Sequence, residues 1–246
     1  MKKYIFLVGI CLSAALSVSA LSIGSSNTDY VAMSQQYHCA NNVHGLDYES
    51  CSLGKTSGFM DFHNYLSCLG VVEKTANCDT AECTTYAPRQ ELVGIATRIR
   101  NISMKDSYVC QNIFTDVSTS TTPGWTCQVA ERAANSGLVS RERAVFEPLL
   151  PASRVEAYST LLASICIDTS SESITGFAGK NQIDAWQKKV IRSAIRNGFT
   201  SRTESDFNPS RAIKMEELYA LSSRVIQHAE IHPTCPPIIP EVMCEQ

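Results

Sequence analysis

After its first sixteen residues the chain has no long apolar run. The one present, Tyr4 to about Leu16, follows Lys2 and Lys3 and is too short to cross a bilayer. With Val18 and Ala20 as the small residues of a cleavage site, it predicts a signal peptide over 1–20 and an exported chain starting near Leu21, with no membrane insertion once the leader is removed. Surplus positive charge is also missing. The 21 Lys and Arg stand against 24 Asp and Glu, and losing Lys2 and Lys3 takes the formal charge from −3 to −5. A nucleic-acid partner is therefore excluded, since phosphate binding needs a basic surface. No cysteine pair has the CxxC form and no compact Cys/His set occurs, so neither a metal nor a cofactor is expected. No G-x-S-x-G, H-E-x-x-H or P-loop appears. The nearest His/Cys neighbours, His38-Cys39 and His63/Cys68, make no convincing nucleophile and base, because cysteines paired in an oxidising compartment are inert. The chain does not read as an enzyme.

Cysteine itself is plentiful. Of 11, ten lie beyond Cys11 of the leader, an even number that allows up to five disulfides. Connectivity stays open, although Cys78/Cys83 and Cys235/Cys244 are close in sequence, and Cys110, Cys127 and Cys166 fall in one stretch.

That stretch recurs. Trp125 and Trp186 are 61 positions apart, as are Arg154 and Met215; both tryptophans precede a glycine (Gly137, Gly198) by twelve. Each unit reads as a helix, a glycine stop, a polar loop, Phe-x-Pro and a second helix. An earlier, divergent unit aligns Gly58 with the tryptophans and Gly70 with the glycines, and carries Pro88-Arg89-Gln90-Glu91 before an inward face of Leu92, Ile95, Ala96 and Ile99. An apolar residue follows each glycine, as a left-handed helix stop requires. Ser153-Arg154-Val155-Glu156 has the form of a capping box, with Glu91 and Glu217 at the matching positions.

Arg89 and Arg154 are less easily placed. A cation in the first turn opposes the helix dipole. Either an anion meets the free N–H groups and the guanidinium there, or the arginine covers apolar surface or pairs with a nearby acid. Trp125 and Trp186 read chiefly as core aromatics locking the two helices of a unit, with a sugar-stacking role as the alternative.

Phe114-Thr115-Asp116-Val117, Trp125, Gly137-Leu138, Phe146-x-Pro148 and Ser153-Arg154-Val155-Glu156 together resemble an S-layer homology (SLH) module. Phe177, Trp186, Gly198-Phe199, Phe207-x-Pro209 and Lys214-Met215-Glu216-Glu217 resemble a further copy. The resemblance implies a mainly all-α fold, with three pseudo-threefold-related helix-loop-helix modules around a shared helical core, here disulfide-braced. The divisions are 21–103 (N-terminal segment and divergent repeat 1), 104–167 (repeat 2), 168–230 (repeat 3) and a Pro/Cys-containing tail over 231–246. It further implies noncovalent attachment to an anionic, often pyruvylated, cell-wall polysaccharide in a bacterial envelope, with another envelope protein as a further candidate partner. Carried onto this sequence, the ligand-binding set is Arg154, Arg89, Trp125, Asp116, Lys214 and Trp186. Two departures from the pattern stand out: Met215 replaces an arginine, and Gly179 replaces the aspartate. The competing reading is a disulfide-stabilised secreted scaffold that binds a protein partner and has lost the glycan site.

Overall fold

The computed structural model describes residues 85–100, 102, 108–118, 124–178 and 182–231, with positions 62, 63, 66, 67, 71 and 72. The expected leader, Gly58, Gly70, Cys78/Cys83, Cys235/Cys244 and the tail beyond 231 lie outside the described residues. Within them are five helices: α1 (Arg89–Ile99), α2 (Gly124–Asn135), α3 (Arg154–Ser164), α4 (Ala185–Arg196) and α5 (Met215–Ile231). Among the described residues β-structure is limited to three isolated bridges. The described part of the chain is mainly helical, as expected, and none of its helices is long and apolar enough to cross a membrane.

The three bridges are the organising feature. Pro88 pairs with Pro151, Ser153 with Ala212, and Lys214 with Tyr86, so the extended segments before α1, α3 and α5 close into a ring. Around it the Ala152 N–H donates to the Ala87 carbonyl, that of Ile213 to Ala152, and that of Ala87 to Ile213, each at 2.9 Å. The first residues of the helices continue the pattern: Arg89 N–H to Leu150 carbonyl, Arg154 to Arg211, and Met215 to Thr85. All three segments thus use the same donor positions. Proline at 88 and 151 costs no ladder bond, because neither position supplies an N–H to the ring.

α1, α3 and α5 touch one another in every pairing, while α2 packs on α1 and α4 on α3. Each tryptophan-led helix therefore lies against the second helix of the preceding unit. The sequence had suggested that it would lock onto the second helix of its own. The long connection from Ser136 to Ser153 carries the chain past its neighbour before the next helix begins. Trp125 is buried as expected, as are Leu92, Ile95 and Ala96, while Ile99 of the same predicted face is only partly buried. Val155, Leu161 and Leu218 are buried as well. Trp186 is not: it is 47% exposed.

Helix ends follow the glycine rule. Gly137 and Gly198 both have φ +73°. Leu138 N–H reaches the Ala133 carbonyl and Gly137 that of Ala134; Phe199 and Gly198 repeat this with Ala194 and Ile195. These are the two bonds of a Schellman stop, with the following apolar side chain folded back onto the helix. Val71, which donates to Leu66 at 2.8 Å, makes the same long bond in the divergent unit.

Candidate functional site

The site begins at the helix starts around the ring. At α3 the predicted capping box is present. The Ser153 hydroxyl accepts from the Glu156 N–H, and the Glu156 carboxylate accepts from the Ser153 N–H at 2.8 Å. At α5, Glu217 likewise reaches back to the Lys214 N–H at 3.2 Å. These carboxylates also receive arginines from the neighbouring unit. Arg89 donates to the Phe146 carbonyl at 2.7 Å and to Glu156 at 3.3 Å, with Glu147 a further partner at 2.9 Å. Arg154 repeats the geometry one unit on, donating to the Phe207 carbonyl and to Glu217 at 3.2 Å. Both arginines are buried, at 9% and 4% exposure. A cation in the first turn is thus answered by a carboxylate one unit away, as the acid-pairing alternative had it. The residues before the prolines, Glu147 and Asn208, are left-handed (φ +56° and +48°) and so complete the turns that carry the two phenylalanine carbonyls.

Asp116 joins the same scaffold. One carboxylate oxygen accepts from the Phe146 N–H at 2.7 Å and the other from the Glu147 N–H at 2.6 Å. It holds the Phe-x-Pro turn on which Arg89 closes. Glu131 of α2, fully buried, similarly holds the incoming chain by accepting from Tyr108 Oη, the Gln111 N–H and the Ile113 N–H. At the matching place in α4, Arg192 holds the incoming chain through the carbonyls of Ser173 and Thr175. One register position thus accepts from N–H groups as a carboxylate and donates to carbonyls as a guanidinium. Beside Glu131, Cys110 and Cys127 form a disulfide. These three are the only grouping of metal-ligand type among the described residues. The sulfurs are bonded to each other and the carboxylate already holds three donors.

Two grooves lie where adjacent units meet. The first, about 530 Å³, runs between Arg89 and the loop after Gly137, over Leu92, Phe114 and Val145. Its cations Arg89 and Arg143 face Glu142 and Glu156, and the exposed Trp186 forms one wall. The second, about 550 Å³, is its counterpart between Arg154 and the loop after Gly198. Arg154, Arg202 and Arg224 line it, against Glu217 as the single carboxylate of its walls. An adjoining cavity of about 330 Å³ shares Arg154, Arg202 and Glu217 and adds Arg211 and Lys214, opposite Asp206 and Glu216.

The charge environment fits this division. Burial, then the nearby positive charges of Arg211 and Arg202, bring the Arg154 guanidinium below the usual arginine range, against the opposing pull of Glu217. For Glu217, burial works against ionisation. The Arg211 bond, the Lys214 N–H and the charges of Arg211 and Arg154 outweigh it and hold the carboxyl below the usual glutamate range. Glu156 is depressed in the same way, burial being outweighed by Ser153 and by Arg89 and Arg143.

Of the six residues named from the sequence, the structure brings Arg154 and Lys214 to one cavity and Arg89 and Trp186 to the other groove. Trp125 is core, and Asp116 is occupied by backbone. Sequence reasoning missed Arg202, Arg211 and Arg224, because it weighed cations only at helix starts. The repeat offset held a signal for the first, since Arg141 occupies the position of Arg202 in the middle unit. There Arg141 is tied back to the Ala134 carbonyl at 3.3 Å, whereas the Arg202 guanidinium has no protein partner among the described residues. His63 is buried against the ring of Tyr219. No family model matches the chain, and no curated protein matches it.

Proposed function

We propose that this is an exported, non-catalytic envelope-binding protein made of three SLH-like modules, and that it holds an anionic wall polysaccharide in the groove between Arg154 and the loop after Gly198. The cyclic pairing of the segments before α1, α3 and α5 supports the three-module reading, because each segment stands to the next as that one does to the third. The observation that carries the function is the lining of that groove: three guanidiniums against one carboxylate. A carboxylate or phosphate entering there meets planar donors able to bind in pairs. The other groove is charge-balanced and offers no such surplus.

Arg154 itself already bonds Phe207 and Glu217, so it acts as the floor of the site, and Arg202 and Arg224 are the arms that reach ligand. The test is retention of oxidised protein on purified anionic envelope glycan, beside an Arg202→Ala/Arg224→Ala variant. Both side chains lie outside the inter-unit clasps, so the variant keeps its fold. Retention of the native protein and its loss in the variant is the expected result. Equal retention of both, or of neither, sinks the reading.

A further inference from the structure

The groove and its adjoining cavity share three residues, Arg154, Arg202 and Glu217, so Glu217 lines both. It is a fixed wall. Arg154 bonds it from one side, the Lys214 N–H meets it at 3.2 Å, and Arg211 donates to both of its oxygens. Glu217 therefore engages Arg154 and Arg211, neutralising one of their two charges, and three further cations line the two spaces. Arg202 has no protein partner among the described residues and is common to both spaces. Arg224, on the groove side, makes one 3.4 Å bond to the Phe199 carbonyl. Lys214, on the cavity side, has Glu216 at 3.8 Å, a half-exposed pair of little worth. Asp206, the other acid of the cavity, accepts from the Thr203 hydroxyl.

We infer that the two spaces form one double anion site, taking a polysaccharide segment that bears acidic groups on neighbouring sugars. One group sits between Arg202 and Arg224, the next between Arg202 and Lys214. This rests on the anionic-glycan reading above and sharpens it from a single charged group to two linked ones. A second anion tethered to the first binds at high effective concentration, so the pair gains more than either alone. Arg202 is the shared anchor, and Lys214 is the residue that tells a doubly charged ligand from a singly charged one.

Calorimetric titration with galacturonate and with trigalacturonate tests this, since the two share their chemistry and differ in the number of linked carboxylates. The trimer is expected to bind at least about tenfold tighter than the monomer. Lys214→Gln is expected to erase that advantage, costing the trimer far more than the monomer, which keeps the Arg202–Arg224 subsite, while Arg202→Ala weakens both. Circular dichroism on each variant separates loss of binding from loss of fold. If the monomer binds and the trimer gains nothing, or if Lys214→Gln keeps the gain, the double site is wrong and the anionic groove stands. If neither ligand binds the native protein, both readings fall.

Discussion

Arg154 leaves the first turn of α3, yet its guanidinium ends on the carbonyl of Phe207, in the loop that leads to α5. Arg89 and Phe146 repeat the contact one unit earlier. The stability of each unit is therefore written partly into its neighbour.

Truncating Arg154 should be costly for that reason. Arg154→Ala leaves the buried Phe207 carbonyl without this donor and Glu217 without one of its partners. A loss of about 3 kcal/mol is expected, the range for breaking one side of a buried pair. Urea unfolding followed by circular dichroism measures it. An effect under about 0.5 kcal/mol would mean that the clasp is ornamental.

Asp116→Ala removes two short bonds to the Phe146 and Glu147 N–H groups at once. With both donors partly buried, the cost should be about 2 kcal/mol. Because the turn that presents the Phe146 carbonyl loosens, the variant should also couple to Arg89→Ala. A double-mutant cycle that returns simple additivity would show that the two do not share a turn.

The two tryptophans should separate clearly. Trp125→Ala empties a core position and should lower stability by about 3–5 kcal/mol. Trp186→Ala, at a half-exposed wall of the first groove, should cost less than about 1 kcal/mol. Thermal melts of the pair decide, and similar losses would contradict the packing described.

Gly137→Ala and Gly198→Ala isolate a backbone term. A methyl group at either position meets nothing within 4 Å, so only the left-handed φ of +73° resists it. Each should destabilise by about 1 kcal/mol. A neutral result would show that the helix stop relaxes.

Acid should dissolve the inter-unit clasps. Glu156 and Glu217 are held below the usual glutamate range in the folded protein. Their contribution is thus complete above the unfolded value, about 4.3, and is lost as pH falls through the lower folded value. The melting temperature should drop on going from pH 6 to 3, and Glu217→Gln should flatten part of that slope. A variant that keeps the full slope would remove Glu217 from the explanation.

Much of this architecture was open to reading in the one-dimensional chain. The αL stops at Gly137 and Gly198, the Ser153–Glu156 box and the buried face of α1 depend on spacing along a single helix, which sequence carries directly. The recurrence at 61 residues relates Arg154 to Met215, and the backbone N–H groups of both donate to the ring, to Arg211 and to Thr85. What sequence could not hold is which piece touches which. That α2 lies on α1, that Arg89 answers Glu156 and that Trp186 faces a groove are all contacts between units. Such contacts are set by how the loops route the chain around the closed ring, and local propensity carries no record of that routing. The groove cations depend on it most. Arg202 and Arg141 occupy one register position, and only the fold leaves the first uncommitted while tying the second to its own helix. Helix starts, stops and class are thus properties of the sequence itself, because they are local. The charge of the candidate site belongs to the tertiary structure, because it is the remainder after neighbouring units have neutralised one another.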